Sequence, residues 1–281
     1  MNLIGFGTAA CAIIEKLKVY PNYTCYKIDD GEQDNEGCSF YKMKPQADFK
    51  QYELNTPNYK KFFKDLGDEE TYFFLEGGKK ITGAALGTLE QLKEKRPIVV
   101  YIRPNRRLLN KTQALMERAA YGILQELARS AALKGIILVD TAHIMRYTGG
   151  VKITEMKRHL QEMVATSFHM LSYVKNGEGL VDITENPQEI NRISTFGYVD
   201  SKSGEEICFY PLDSIREKVY YFAITEKSEL WNSHEKLLDN IEEQIKEKGV
   251  NSSYKIVPTS YDENYVYLET FTNVVQLEFN H

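Results

Sequence analysis

"FFLEGGKKITGAALGTLEQL", residues 73–92, opens as an apolar strand and closes as a helix. Between the two lies Gly77-Gly78-Lys79-Lys80-Ile81-Thr82-Gly83. Glycines let backbone N–H groups curl around a phosphate, and a helix starting near Thr82 points its positive end into the same space. Lys79 and Lys80 add charge. The same residues also read as a Gly-Gly turn leaving a strand, with both lysines solvated. The anion-binding reading is favoured, because helix N-termini after parallel strands are where such sites form. Ile81 opposes it. A β-branched side chain there stands where backbone has to approach a ligand, and it disfavours positive φ.

Outward from this loop, strands and helices alternate. "NLIGFG" (2–7) is a short apolar strand and "TAACAIIEKLKV" (8–19) a helix. "TCYKIDDG" (24–31) is a second strand ending in acidic turn residues. Residues 31–56 read as irregular, and "PNYKKFFKDLG" (57–67) as a short helix ended by Gly67. "PIVVYIRP" (97–104) is a strand, 110–135 a long helix ended by Gly135, and "IILVDTA" (136–142) another near-continuous apolar strand. Such runs suit parallel strands covered on both faces, so residues 1–152 are expected to form a doubly wound α/β domain. From Ile153 to Val174, apolar residues recur at threes and fours, which predicts one helix of about six turns over 153–176. Residues 177–281 change grammar: "EKVYYFAIT" (217–225) is a strand and 228–249 an amphipathic helix with Leu230, His234, Leu237, Leu238, Ile241 and Ile245 on one face. "SYKIVPTS" (253–260) and "NYVYLETFT" (264–272) follow as strands, giving a smaller mixed α/β domain.

Composition narrows the function classes. A formal net charge of -5 argues against a protein built around a nucleic-acid backbone. No apolar run approaches the ~20 residues of a membrane span. The first residues lack the basic leading region of a signal peptide. Cys11, Cys25, Cys38 and Cys208 form no Cys-x-x-Cys and read as free thiols of a reducing cytosol. His159 and His169 share the long helix without metal spacing, so no metal site is expected.

The order of elements resembles the tubulin/FtsZ superfamily. In "GGKKITGAA" (77–85), Gly77, Gly78, Thr82, Gly83, Ala84 and Ala85 match the family's glycine-rich phosphate loop, whereas Lys79, Lys80 and Ile81 depart from it. The colinear order of elements over most of the chain is the stronger part of the likeness, since the glycine signature is eroded. The length and the lack of an acidic tail most resemble phage or plasmid tubulin-like proteins. The resemblance implies a cytoplasmic, guanine-nucleotide-linked protein that assembles head-to-tail with itself. GTP or GDP, with magnesium, are the cofactors it implies.

The implied nucleotide site takes in "GFGTAACA" (5–12). Gly5 and Gly7 permit a tight strand–helix turn, Thr8 and Ala9 would face phosphates, and Ala10 is small enough to admit them. Gly5 also reads as a packing glycine. Asp29 and Asp30 read either as ribose ligands or as turn residues. For the base, the comparable positions are Ala12, Thr141 and a residue within 155–158, with Glu155 able to accept hydrogen bonds from a guanine edge. Glu155 reads equally as an acid complementing the helix dipole.

Hydrolysis in the family is completed in trans by aspartates after the central helix. Here "NGEGLVDITENPQEINRI" (176–193) offers Asp182, Asn186 and Glu189 at the comparable places, without an Asp-x-x-Asp. Carboxylates at Asp182, Glu185 and Glu189 can orient water or a metal. The favoured alternative has Thr184 capping a helix with Pro187 in its first turn. GTP hydrolysis is therefore expected to be very slow or absent. A degenerate homologue that has lost nucleotide and serves a protein partner is the second reading. A dinucleotide enzyme using "GFGTAA" is disfavoured, since nothing else in the chain supplies hydride chemistry. The tail "NVVQLEFNH" (273–281) reads as a partner peptide, a strand end or a subunit contact.

Overall fold

The computed structural model describes residues 1–31, 36–228, 233–245 and 250–277. They form two compact units. The first runs from Met1 to Ala165 and takes in the chain from Val275; the second is Thr166–Val274.

The first unit is built on strands β1 (Asn2–Phe6), β2 (Thr24–Asp29), β3 (Ser39–Lys42), β4 (Thr71–Glu76), β5 (Ile98–Arg103) and β6 (Gly135–Asp140). They lie in the order β3-β2-β1-β4-β5-β6, every pairing parallel. The chain thus builds outward from β1 in one direction through β2 and β3, then returns to its other side with β4. That reversal is the topological switch point of a doubly wound sheet, where ligands collect at the carboxyl ends of the strands. Phe73, Phe74 and Leu75 in β4 and Val99, Val100 and Tyr101 in β5 are all fully buried, as expected for strands covered on both faces.

Helices α1 (Thr8–Leu17), α2 (Phe49–Leu54), α3 (Ala85–Gln91) and α4 (Lys111–Arg129) lie between these strands, and α5 (Thr141–Ile144) follows β6. Helix α4 starts on a capping box in which the Asn110 side chain accepts the Gln113 N–H while the Gln113 side chain accepts the Asn110 N–H. Helix α6 is continuous over Ile153–Asn176, the span predicted from its periodicity.

Two readings of the sequence change here. Residues 57–67 are a run of turns, not a helix. Tyr59, Phe62 and Phe63 are drawn instead into an aromatic cluster with Tyr26 and Tyr41, with ring centroids 4.9–6.4 Å apart. The helix lies earlier, at α2, inside the stretch read as irregular, where the Asp48 carboxylate caps it by accepting the Gln51 N–H at 2.9 Å. Strand β3 was also hidden there, because four half-exposed residues carry no alternation to read.

In the second unit, β7 (Val181–Asp182), β8 (Ile193–Val199), β9 (Glu206–Cys208), β10 (Glu217–Thr225), β11 (Asn251–Thr259) and β12 (Tyr265–Thr272) lie in the order β9-β8-β12-β10-β11-β7. Only the β10–β11 pair is parallel. Helix α7 (His234–Ile245) crosses between β10 and β11. Its Ile241 packs with Tyr220, Phe222, Ile224, Ile256 and Leu268, with Leu237 and Ile245 beside them. The β8–β9 hairpin was not anticipated from the sequence. Leu230, the side chain of His234 and the last four residues of the tail lie outside the described residues. Among the described residues, no helix is long and apolar enough to cross a membrane.

Two glycines test this packing in opposite directions. A Cβ on Gly83 would stand 2.1 Å from the Phe49 carbonyl oxygen in α2, whereas one on Gly122 in α4 meets nothing within 4 Å. Gly83→Ala is expected to destabilise by about 1–3 kcal/mol through forced backbone movement. Gly122→Ala should stabilise by roughly 0.4–1 kcal/mol by removing unfolded-state freedom. Urea denaturation of the two variants checks both signs.

Candidate functional site

The loops leaving β1 and β4 emerge side by side, because the two strands pair in register up to Phe6 and Leu75. Between them is a cavity of about 260 Å³ lined by Phe6, Gly7, Thr8, Ala9, Asp30, Glu76, Lys79, Lys80, Ile81 and Lys157. Gly7 starts α1 with φ +85, a backbone conformation that glycine adopts without strain. Its own N–H is used on the Ile28 carbonyl at 2.8 Å. The first intrahelical bond runs from the Cys11 N–H to the Gly7 carbonyl at 2.9 Å. The N–H groups of Thr8, Ala9 and Ala10 therefore precede the helix's own ladder and form its positive end.

The glycines of the second loop follow the alternative reading, a turn leaving a strand. The Gly77 N–H donates to the Ile102 carbonyl at 3.0 Å, and a Cβ there would stand 2.2 Å from the Tyr101 hydroxyl oxygen. Gly78 has φ +73 and turns against Leu109. These two glycines turn the chain and let it pass close to α4; they do not line the cavity. The Thr82 hydroxyl donates to the Glu76 carbonyl at 3.2 Å and is buried, and Gly83 abuts α2. A short 3-10 turn, Lys80–Ala84, precedes α3, so the helix begins later than the sequence suggested. What the loop presents to the cavity is Lys79, Lys80 and Ile81. Ile81 is buried, and its Cγ2 lies 3.1 Å from where a Cβ on Gly7 would stand, so it fills space directly opposite the start of α1.

The remaining candidates divide. Gly5 is a packing glycine, with Ile14 and Cys11 of α1 within 3.0 Å of its would-be Cβ. Asp29 is buried and accepts from the Thr8 hydroxyl at 3.3 Å and the Asp30 N–H at 3.0 Å. Asp30 borders the cavity and accepts from the Tyr52 hydroxyl, which helps push that phenol up to about 12, after burial. The Thr141 hydroxyl donates to the Arg103 carbonyl at 3.0 Å and does not reach the cavity. Glu155 is exposed in the first turn of α6; the residue of that helix that borders the cavity is Lys157. Lys157 falls within the 155–158 window that the resemblance implied for the base, although Glu155 was the residue singled out there.

The candidates after α6 belong to the second unit. Asp182 in β7 accepts the Thr184 N–H at 3.1 Å and its hydroxyl at 2.6 Å, and pairs with Lys255 at 3.1 Å. The Thr184 hydroxyl first, and then Lys255, holds the Asp182 carboxyl below the ordinary carboxylate range. The expected Thr184-capped helix is absent, because Thr184 is spent on Asp182 and the chain runs along β11, with the Ile183 N–H donating to the Tyr254 carbonyl. Asn186 is exposed, and Glu189 is exposed with Arg192 3.7 Å away. Asp182 is thus engaged within its own unit, while Asn186 and Glu189 face solvent. Among the described residues, no cluster of three or more His, Cys, Asp or Glu is placed to hold a metal ion.

Electrostatically the cavity is mixed. Lys79, Lys80 and Lys157 favour an anion. Glu76 opposes it, paired with Lys79 at 3.5 Å. Burial raises the Glu76 pKa above the ordinary carboxylate value, in spite of Lys79 and Lys157. A raised acid binds its proton more tightly in the folded chain, so stability falls as pH rises from the unfolded pKa through the folded one. Glu76→Gln should therefore raise the melting temperature at pH 7, with the gain shrinking as pH is lowered below the unfolded carboxylate value of roughly 4.3. The same substitution should tighten pyrophosphate binding measured by calorimetry at pH 7. Unchanged or weaker binding would show that Glu76 does not face the anion.

No family model matches the sequence, and no curated protein is similar to it at the level of sequence. The solved structures give a different result. An empty FtsZ dimer from M. jannaschii superposes with a TM-score of 0.71 at 11% identity, over 96% of this chain and 87% of that one. GDP-form protofilaments of TubZ from Bacillus thuringiensis serovar israelensis give 0.69 at 12%, over 98% and 84%. A GTPγS-bound protofilament of CetZ2 from Haloferax volcanii gives 0.69 at 13%, over 96% and 92%. At these identities the likeness shows the fold, and it spans nearly the whole chain: this protein has the fold of the tubulin/FtsZ superfamily.

Proposed function

We propose that this chain is a tubulin/FtsZ-like cytoskeletal protein of the cytoplasm, of the phage or plasmid type, that assembles head-to-tail with itself. Its nucleotide site is weak, and its hydrolysis is slow or absent. The observation that carries the reading is the cavity at the switch point, where the start of α1 and the lysines Lys79, Lys80 and Lys157 converge. A guanine nucleotide would place its phosphates there, against the N–H groups of Thr8, Ala9 and Ala10. The relatives in fold include filaments and protofilaments in GDP and GTPγS forms, which supports both the polymer and the ligand class. A head-to-tail contact is heterologous, so it propagates instead of closing.

One observation favours a second reading, in which nucleotide is lost and a protein partner is the ligand. The cavity, about 260 Å³, falls short of the roughly 300–1,000 Å³ usual for a drug-sized ligand. Ile81 accounts for part of that shortfall. The space suits a di- or triphosphate chain better than a whole nucleotide.

Thermal unfolding separates the readings. Millimolar GTP should raise the melting temperature, because a ligand bound only by the native state stabilises it by mass action. Lys79→Glu should abolish the shift and lower the unliganded melting point modestly, since it replaces the lysine 3.5 Å from the Glu76 carboxylate by a like charge. No shift with GTP, GDP or ATP, with or without magnesium, favours the protein-partner reading.

Turnover and assembly are measured together, as phosphate release and light scattering against protein concentration. Filaments are expected without appreciable phosphate release. An amide at Asn186 can orient water but cannot take its proton, and Glu189 reaches one methylene further than an aspartate. A steep rise in release above a threshold concentration, removed by Glu189→Ala but kept in Glu185→Ala, would overturn this and make Glu189 the working carboxylate.

A further inference from the structure

Strand β3 is the free edge of the first unit's sheet and pairs with β2 in parallel, with Tyr26 opposite Ser39. Cys38 immediately precedes β3, and continuing that register by one residue sets it opposite Cys25 in β2. Neighbouring strands lie about 4.8 Å apart, inside the roughly 4.4–6.8 Å Cα separation that a disulfide spans. In a parallel pair, residues level with one another point to the same face of the sheet, so the two thiols lie side by side. Cys25 is buried and Cys38 half-buried, so the pair has one shielded and one approachable sulfur. Lys18 fixes the approach to Cys38 by donating to the Glu36 carbonyl at 2.9 Å. Lys27, on the same face of β2, pairs with Glu15 of α1 at 2.8 Å, and Glu15 also pairs with Lys18.

We infer that Cys25 and Cys38 are a peroxide-oxidisable dithiol, with Cys38 the attacking sulfur and Cys25 the resolving one. The charges around them support those roles. A hydrogen bond from Cys25 and the positive charges of Lys27 and Lys18 lower the Cys38 pKa, against burial and Glu15, while Cys25, holding the shared proton, is raised. The thiolate is the reactive form of cysteine. The Cys38 thiolate attacks one oxygen of hydrogen peroxide, the O–O bond breaks, and the departing hydroxide takes up a proton as water. Cys38 is left as a sulfenic acid. The Cys25 sulfur then attacks the Cys38 sulfur, the S–O bond breaks, and the hydroxyl leaves with the Cys25 proton as a second water. Two sulfurs are oxidised by one electron each and one peroxide is reduced to water. The bridge ties the edge strand covalently to β2 and closes a ring that contains Asp30, the acid bordering the cavity. The other two cysteines serve as internal controls: burial pushes the thiols of Cys11 and Cys208 up to about 12.

The test is peroxide titration of the full native chain, read by intact mass and by peptide mapping after blocking the remaining thiols. The expected result is loss of two of the four thiols and of two hydrogens of mass, with a Cys25–Cys38 cross-linked peptide that dithiothreitol reverses. In Cys25→Ser, the sulfenic acid should persist at Cys38 and be labelled by dimedone; in Cys38→Ser, the cross-link and the labelling should both be lost. Stepwise oxygen addition at Cys38 with Cys25 still alkylatable, or a cross-link through Cys11 or Cys208, would overturn the inference. None of these readouts depends on nucleotide binding.

Discussion

The parallel pairing of β1 with β4 is the constraint on which the first unit turns. It places the Gly7 turn and the Gly77–Gly78 turn at the same end of the sheet, and the cavity proposed to take phosphates lies between them. The pairing requires close contacts to hold it. Gly5 lets α1 lie on β1, Gly77 lets the chain pass the Tyr101 hydroxyl, and Gly83 lets the following turn rest on α2. The Tyr101 hydroxyl in turn donates to the Glu117 carbonyl, and Glu117 forms a buried pair with Arg103 at 2.9 Å. A buried pair of this kind contributes little net stability, but it is costly to break from one side. It fixes α4 against β5, and with it the wall that the Gly77–Gly78 turn follows.

This reassigns the glycine signature. From sequence, the favoured reading of the glycines in 77–83 had backbone meeting phosphate, with a plain Gly-Gly turn leaving a strand as the alternative. In the structure those glycines answer steric demands of the protein itself: Tyr101 at Gly77, Leu109 at Gly78, Phe49 at Gly83. A loop can therefore keep its glycines after its ligand has weakened, because packing alone retains them. The informative residues are those between. Lys79, Lys80 and Ile81 face the cavity, two adding charge and one taking up volume.

Much of the fold was legible, because its signals are strong. Near-continuous apolar strands such as Ile136–Val139 and a 24-residue helix with regular apolar spacing leave few alternatives. What was missed had weak local signals. Strand β3 is short and half exposed, the β8–β9 hairpin lies in a stretch without clear alternation, and Tyr59, Phe62 and Phe63 mimic a helix face while serving an aromatic cluster. The site was legible only in part. Local chemistry pointed to Lys79 and Lys80 and the resemblance to Gly7, Thr8 and Ala9, and these five residues line the cavity. It gave no way to separate packing glycines from lining ones, or to choose Lys157 over Glu155 within the 155–158 window that the resemblance implied.

The balance of charge at the cavity decides what it can hold. Three lysines around a small space would attract any polyanion, and without a counterweight they would repel one another. Glu76 supplies that counterweight, and Lys79 is its nearest partner. Buried as it is, Glu76 is held above its ordinary pKa, which means that the cations around it fall short of compensating its desolvation. An arriving phosphate would draw Lys79 away from Glu76 and leave that carboxylate still poorer in partners. The protein therefore opposes anion binding with an internal competitor for one of its own lysines. Opposition of that kind weakens affinity for any anion without closing the cavity to it.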